Sequence, residues 1–212
     1  MRILFQGDSI TDGDRDRRNY YDMGSSYPRY AKEEILKAFP RADIEFINLG
    51  IGGNRTGQLF DRLYPDGIAL MPDIFSILIG INDIWHRHGS NKISTSDEQI
   101  ELNYRSILER IKKDTSAKIV MLAPYVLDAP GKDFLRDGLV TVSPIIRKLA
   151  EKYADVFIPL DEKLAEALKT QPEPLFYSRD GAHLNDNGAQ FVGKLFAEAV
   201  TPLVKELLTE NF

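Results

Sequence analysis

The sequence predicts an α/β fold in which a five-stranded parallel sheet is covered by helices on both faces. Short apolar runs, the first at Ile3–Phe5 and the last at Val156–Ile158, alternate five times with segments of helical periodicity, which is typical of parallel sheets. The run Ile74–Ile79 is apolar almost throughout, as in a strand buried on both faces. With 212 residues, 43% of them hydrophobic, the chain suits one sizeable core better than two. We therefore expect a single domain over residues 1–212.

Each of the first three predicted strands ends in a polar turn that contains glycine. Gly7-Asp8-Ser9 follows the first strand, Asn48–Asn54 follows a second strand at Ile44–Ile47, and Gly80–Asp83 follows the third. A fourth strand is expected at Ile119–Leu122. Because the carboxyl ends of parallel strands share one edge of the sheet, where ligands bind in open α/β folds, these three turns should form one rim.

Helical spacing of apolar residues and capping residue types predict the intervening helices. The segments expected to be helical lie around residues 26–39, 55–63, 96–111, 133–153, 160–168 and 185–208. Pro144 and Pro202 fall within two of them, and an interior proline should kink or divide a helix. The charged stretch Asp12–Arg18 and the region of His86 and His88 are expected to be surface loops.

The composition excludes several classes of function. A net charge of −5 with scattered Lys and Arg offers no basic face for a nucleic acid. The chain contains no cysteine, so disulfides, thiolate metal sites and a cysteine nucleophile are excluded. No apolar stretch approaches the roughly 18 residues of a membrane span. The amino terminus passes directly into strand-like sequence without a leader-like apolar region, and we expect a cytoplasmic protein.

Ser9 is a candidate nucleophile because it should stand at the end of the first strand, on the rim. The tripeptide alone is also typical of a turn that caps a helix. A serine hydroxyl needs a neighbouring base, usually an imidazole oriented by a carboxylate. Asp180 precedes His183 by three residues in a loop that opens the last helix, so one short segment could supply both groups. The G-x-S-x-G elbow of α/β-hydrolases surrounds none of the serines.

An acyl-transfer site also needs hydrogen-bond donors for the oxyanion of the tetrahedral intermediate. Three donors are expected on the rim, one from each of the first three strand ends. They are the backbone N–H of Ser9, the backbone N–H of Gly53 and the side-chain amide of Asn82. The sequence therefore predicts a complete constellation for ester hydrolysis, without a metal or another cofactor.

Four short blocks give the sequence a resemblance to the SGNH (GDSL-type) hydrolases. They are Gly7-Asp8-Ser9, Asn48-x-Gly50-x-x-Gly53, Gly80-x-Asn82-Asp83 and Asp180-x-x-His183, in the order in which that family carries them. The resemblance implies a flavodoxin-like, three-layer α/β/α fold. It also implies Ser9 as nucleophile, His183 as base and Asp180 as its orienter, with Ser9, Gly53 and Asn82 as the oxyanion hole.

Longer runs around the first three blocks are similar to the intracellular acetylxylan-esterase branch, which removes acetyl groups from xylo-oligosaccharides. This resemblance implies a small ester, such as an acetylated oligosaccharide, as substrate. Some members of that branch assemble into homo-oligomers, so a homo-oligomer is left open. The branch tends to carry tryptophan before the last block and proline after its histidine. Phe176-Tyr177 and Leu184 stand there instead, which leaves the sugar specificity open.

Three further residues are candidates for substrate binding. Trp85 could line the acyl pocket, stack on a sugar or belong to the core. Arg55 could shape the site or face solvent, and Tyr177 lies close to the last block. His86 and His88 are weighed as zinc ligands, but no third ligand stands at a suitable spacing.

Two other functions remain open at this point. One is a lysophospholipase or thioesterase for longer acyl chains. The other is a non-catalytic binding module, because flavodoxin-like sheets also hold ligands at this rim.

Overall fold

The predicted five-stranded parallel sheet is present in the structure, a computed structural model that describes residues 1–88 and 93–210. Its strands are β1 (Arg2–Gly7), β2 (Glu45–Asn48), β3 (Ile74–Leu78), β4 (Lys118–Leu122) and β5 (Val156–Ile158). They lie in the order β2-β1-β3-β4-β5, and every neighbouring pair is parallel. The α/β fold class predicted from the sequence is confirmed.

The direction in which strands are added to the sheet reverses between β1 and β3. From β1 the chain adds β2 on one side, then returns to add β3, β4 and β5 on the other. In the register of the β1/β3 pair, Gly7 lies opposite Leu78, so both strands end at the same level. Ligands in open α/β sheets bind outside the carboxyl ends of the strands at such a reversal.

Helices connect the strands and cover both faces. They are α1 (Ser9–Asp12), α2 (Tyr27–Ala38), α3 (Thr56–Asp61), α4 (Leu63–Asp66), α5 (Ile81–His88), α6 (Asp97–Asp114), α7 (Asp133–Tyr153), α8 (Leu160–Thr170) and α9 (Asp186–Glu210). Short 3₁₀ turns lie at Ile68–Leu70 and Pro174–Phe176. Helix α2 packs against α9, whereas α6 packs against α3 and α7. Right-handed crossovers place these two groups on opposite faces of the sheet.

The helix predictions need three corrections. Residues 81–88 form helix α5 rather than a turn and a loop, because Ile81 and Ile84 are buried at helical spacing. The single helix expected over 55–63 is shorter, and Arg62 separates it from α4. Pro144 and Pro202 lie inside continuous helices. Both prolines are exposed, so water can bind the carbonyl groups that they leave unpaired.

The sheet forms the centre of a continuous hydrophobic core. All five residues of β3 are buried, and β1 is buried after its first residue. Burial on both faces explains why these strands read as apolar runs without alternation. Within 1–88 and 93–210, none of the helices combines the length and the apolar character that a membrane crossing requires.

Candidate active site

Ser9 is the first residue of α1 and stands directly beyond the carboxyl end of β1. The preceding residue, Asp8, is the N-cap of this short helix, and its Oδ1 accepts a hydrogen bond of 2.9 Å from the N–H of Ile10. The sharp change from strand to helix leaves the hydroxyl of Ser9 at the reversal between β1 and β3. The sequence predicted this position on the rim.

The structure brings Ser9, His183 and Asp180 together, although 174 residues separate Ser9 from His183 along the chain. Ser9 Oγ lies 3.0 Å from His183 Nε2. On the other side of the ring, His183 Nδ1 lies 3.0 Å from Asp180 Oδ2. Both distances are within hydrogen-bonding range, so the three side chains form one continuous chain of hydrogen bonds.

The loop before α9 fixes Asp180 and His183 through its own backbone. Asp180 Oδ1 accepts hydrogen bonds from the N–H of His183 at 2.8 Å and of Ala182 at 3.0 Å. Ser178 Oγ accepts from the N–H of Gly181 at 2.8 Å and donates to the carbonyl of His183 at 2.8 Å. The spacing Asp-x-x-His therefore allows one carboxylate to bind both the backbone and the ring of the histidine.

Asp180 carries a negative charge at neutral pH. Its partial burial acts to raise its pKa, but hydrogen bonds from the N–H of His183, from the imidazole and from the N–H of Ala182 outweigh that effect. The pKa of Asp180 is therefore well below its usual range. A charged carboxylate against Nδ1 selects the tautomer in which Nε2 is free to accept a proton, and it stabilises the imidazolium once formed.

Three potential donors lie at the ends of β1, β2 and β3. Within the described chain, the N–H groups of Ser9 and Gly53 have no hydrogen-bond partner. Gly53 has φ +79°, a left-handed conformation that favours glycine. Asn82 lies on the first turn of α5 and is buried, and its Nδ2 donates to the carbonyl of Asn54 at 3.1 Å. A side-chain amide has two N–H bonds, so one remains for a ligand.

A known family matches most of the chain. The family model described as GDSL-like Lipase/Acylhydrolase matches residues 5–191, which span the ends of β1, β2 and β3 and the Asp180–His183 loop. The chain belongs to this family. The protein is an ester hydrolase with a five-stranded parallel sheet flanked by helices, as in solved structures of GDSL hydrolases.

Individual relatives of this GDSL-like hydrolase match nearly its whole length. An acetylxylan esterase of Geobacillus stearothermophilus is 27% identical over 206 residues, or 94% of this chain and 93% of that protein. Its crystal structure has a TM-score of 0.84 over the same shares of the two chains. A protein of Parabacteroides merdae described as GDSL-like is 32% identical, with a TM-score of 0.87 over 94% of this chain and 95% of the other. Variants of the Geobacillus esterase described as catalytic mutants replace a serine or an aspartate with alanine.

Two residues that support the rim of the hydrolase had no role assigned from the sequence. Asn48, at the end of β2, donates from Nδ2 to the carbonyls of Thr11 at 2.7 Å and Met23 at 2.9 Å. Arg62 donates to the carbonyls of Gly7 at 3.1 Å and Leu49 at 2.8 Å. These bonds hold the backbone at the ends of β1 and β2 against each other. The sequence gives no local signal for Arg62, because its partners lie far away along the chain.

Asp83, next to Asn82, has a structural role. Its two carboxylate oxygens accept from the N–H of Thr56 at 2.9 Å and from the Thr56 hydroxyl at 2.8 Å. Burial raises the pKa of Asp83, and the bonds from Thr56 oppose that effect. Asp83 therefore ties the start of α3 to α5, and this positions the neighbouring Asn82.

The three candidate substrate-binding residues of the hydrolase differ in their surroundings. Trp85, on α5, has its ring centroid 6.0 Å from that of His183. Tyr177 packs against Phe191 at 5.3 Å between ring centroids, and this contact gives it a structural role at the start of α9. The side chain of Arg55 reaches Thr95 Oγ1 at 3.5 Å, and within residues 1–88 and 93–210 it forms no hydrogen bond to Ser9, Asp180 or His183.

His86 and His88 lie on helix α5 rather than in the surface loop that the sequence predicted. The ring of His88 packs against Phe134, with 5.0 Å between the ring centroids. In the part of the chain that the structure describes, no three histidine or acidic side chains are grouped in a way that could hold a metal ion.

Asp8 is a fully buried acid that directly precedes Ser9 in the hydrolase. Its Oδ2 has no hydrogen-bond partner among the described residues. Burial raises the pKa of Asp8 to about 7, the N–H of Ile10 opposes this shift, and the negative charge of Asp83 adds to it. Asp8 therefore keeps its proton in the folded protein at pH values where an exposed aspartate is charged.

We expect the stability of the wild type, measured relative to Asp8→Asn, to fall as the pH rises from about 4 to about 7. The unfolded chain loses the Asp8 proton near pH 4, whereas the folded protein holds it until about pH 7. Deprotonation therefore favours the unfolded state across this window, by at most about 4 kcal/mol. Urea unfolding of both proteins at pH 4.5 and pH 8 measures the change. A difference in unfolding free energy that is independent of pH would contradict the expected titration.

Proposed function

We propose that the protein is a serine esterase that hydrolyses its substrate through an acyl-enzyme, with Ser9, His183 and Asp180 as the catalytic triad. The observation that carries this proposal is the chain of two hydrogen bonds, each 3.0 Å long, from Ser9 Oγ through the imidazole to Asp180 Oδ2. A turn residue that merely capped a helix would need neither an imidazole nor a carboxylate behind it. The family supports an ester as the substrate.

In the first half of the proposed reaction, Ser9 Oγ attacks the carbonyl carbon of the ester while His183 Nε2 takes its proton. The C–O bond to the alcohol then breaks, and the imidazolium returns the proton to the leaving oxygen. In the second half, water attacks the acyl-serine with His183 again as base, and release of the acid restores the Ser9 hydroxyl. Asp180 remains charged throughout and stabilises the imidazolium.

The oxyanion of each tetrahedral intermediate would be bound by the N–H groups of Ser9 and Gly53 and by the amide of Asn82. Support comes from their position at three strand ends of one sheet edge and from the unpaired N–H groups of Ser9 and Gly53 in the described residues. Donors that are fixed before the reaction favour the transition state because they need no reorganisation when the charge develops.

We infer further that the substrate is a short-chain ester, in particular an acetyl ester of a carbohydrate. The acetylxylan esterase relative supports the acetyl group. A polar groove of about 340 Å³ supports the carbohydrate. It begins at Arg55, two residues after Gly53, and its lining is made of polar side chains and one glycine. The lining residues are Arg55, Gly57, Gln58, Asp61, Ser94, Thr95, Gln99 and Asn103.

Replacement of Arg55 by alanine tests the role of this groove. The guanidinium contacts Gln58 Oε1 at 3.3 Å and Thr95 Oγ1 at 3.5 Å, so both walls present groups that can bind hydroxyls. We expect Arg55→Ala to raise KM for acetylated xylo-oligosaccharides by about 10-fold, the equivalent of one or two hydrogen bonds. KM for p-nitrophenyl acetate should be unchanged, because that ester is too small to fill the groove. Arg41→Ala, an exposed arginine before β2, is the matched control. Equal changes for both esters would contradict a role in sugar binding.

The acyl specificity is tested with p-nitrophenyl esters of graded chain length beside acetylated sugars. The proposal predicts that kcat/KM falls steeply from acetyl to decanoyl esters and that acetylated oligosaccharides are cleaved. Efficient cleavage of the decanoyl ester would favour a lysophospholipase or thioesterase instead. Absence of any hydrolysis would favour a non-catalytic binding module.

A further inference from the structure

Lys132 is a cation next to the proposed triad that no sequence motif indicated. It is the residue before α7, and its Nζ donates to Asp180 Oδ2 at 3.3 Å. This is the same oxygen that faces His183 Nδ1. Only 13% of the Lys132 side chain is exposed, so solvent screens this contact less than it screens a surface ion pair.

The aromatic ring of Trp85 holds the ammonium group from a second side. Lys132 Nζ lies 3.8 Å from the centroid of that ring, a geometry in which the face of the indole attracts a cation. Phe134 packs edge-on against the same ring, with 6.0 Å between the centroids. The ammonium group thus contacts both the indole face and the carboxylate. One face of Trp85 is therefore covered by Lys132 rather than free to stack on a sugar.

The backbone around Lys132 is also joined to the loop that carries the triad. Leu127 N–H donates to the carbonyl of Gly181 at 2.7 Å, and the phenol of Tyr125 donates to the carbonyl of Ala182 at 2.8 Å. The segment between β4 and α7 therefore holds residues 180–182 at three points, and Lys132 supplies the charged one.

We propose that Lys132 is a positioning residue of the triad, which holds the Asp180 carboxylate in line with His183 Nδ1 and places a positive charge beside the proposed base. This inference rests on the proposed triad. The ammonium group of Lys132 and the imidazole of His183 contact the same oxygen, Asp180 Oδ2, so removal of the ammonium charge should make protonation of the imidazole easier. The salt bridge also restrains the carboxylate against rotation away from Nδ1.

Several other ionisable groups lie around the cluster of Lys132, Asp180, His183 and Trp85, and some of them are paired with each other. Arg136 donates to Asp133 at 3.0 Å and to Asp128 at 2.8 Å, and Arg179 lies 3.8 Å from Asp14. On α5, Asp83 binds Thr56 and Arg87 binds Asp97. Further groups on the elements that surround the cluster include Asp8, Tyr125, His86, His88 and Asp137. Asp8 titrates near the same pH as a histidine, so an activity profile alone would not identify the group that Lys132 affects.

Trp85 provides a readout that does not require turnover, because it is the only tryptophan in the chain. A protonated imidazole quenches indole fluorescence, and the rings of Trp85 and His183 are 6.0 Å apart between centroids. The test follows Trp85 fluorescence from pH 4.5 to pH 9 in the wild type and in the variants Lys132→Met and Lys132→Arg. The part of the transition that His183→Asn abolishes belongs to His183, since Asp8, His86 and His88 are intact in that variant.

We expect Lys132→Met to move the midpoint of this transition up by about 0.5–1 pH unit, the effect of removing one charge at a few ångströms in a partly screened site. Lys132→Arg keeps the charge and should restore the wild-type midpoint. Lys163→Met, which removes an exposed lysine of α8, should change nothing. The acidic limb of kcat/KM for p-nitrophenyl acetate should move in the same direction by the same amount in Lys132→Met.

An unchanged midpoint in folded Lys132→Met would overturn the inference, and so would an equal shift in Lys132→Arg. These results differ from a failure of the proposed function. If the triad itself were wrong, Ser9→Ala and His183→Asn would hydrolyse p-nitrophenyl acetate at the wild-type rate, whereas the fluorescence titration would still report the charge near Trp85.

Discussion

Ser9→Ala is expected to lower kcat for p-nitrophenyl acetate by about 10⁴-fold or more. The variant loses the atom that forms the acyl-enzyme, and the oxyanion donors and substrate binding that remain give only residual catalysis. The fold should be unaffected, because the hydrogen bond from Ser9 Oγ goes to the half-exposed ring of His183 and not to the core. Steady-state kinetics measures the fall in kcat, and thermal unfolding of both proteins shows whether the fold is unchanged.

Ser116→Ala is a matched control for the loss of a serine hydroxyl. Ser116 is exposed and lies just before β4, at the edge of the sheet opposite Ser9. Its replacement should leave kcat within about twofold of the wild-type value, as surface substitutions usually do. Activity of Ser9→Ala at the wild-type rate would show that another group is the nucleophile.

Asn82→Ala should lower kcat by roughly 10²–10³-fold with a much smaller change in KM. The amide is expected to bind the oxygen most tightly when that oxygen carries negative charge, so its loss affects the transition state more than the bound ester. Asn82 Nδ2 also donates to the carbonyl of Asn54, but the start of α3 keeps its bonds from Thr56 to Asp83. Neighbouring backbone should therefore stay in place.

The control for this variant is Asn19→Ala, which removes an exposed asparagine from the loop before α2. It should retain wild-type kinetics. An increase in KM of Asn82→Ala with unchanged kcat would mean that Asn82 binds substrate and transition state equally, and the proposed oxyanion role would be wrong.

Most of the fold was predictable because its strands are buried on both faces and are separated by helical segments. Apolar runs such as Ile74–Ile79 have few alternative interpretations, and the alternation of elements requires a parallel sheet. The error at α5 had a physical cause. Its first turn carries polar residues, Asn82 and Asp83, which are buried because Asp83 binds Thr56, and a tertiary contact of this kind leaves no pattern in a single sequence.

The proximity of Ser9, Asp180 and His183 was also predictable, because the chemistry limits which residue types can serve and the sheet topology places strand ends together. Lys132 was not. It lies 48 positions before Asp180, in a stretch with no periodicity or motif, and its importance arises from the packing of the segment between β4 and α7. A residue that contacts a member of a triad need not be of one type or at a fixed distance along the sequence. Such a residue can therefore be identified only from the three-dimensional structure.

Covalent labelling identifies the nucleophile without reference to any substrate. The protein is incubated with a fluorophosphonate probe, digested, and the modified peptide is identified by mass spectrometry, with His183→Ala treated in parallel. We expect one phosphonylated residue, Ser9, and labelling of His183→Ala that is slower by orders of magnitude, because its serine has no base. A wild-type protein that stays unlabelled, or that is labelled on a residue other than Ser9, would contradict this expectation.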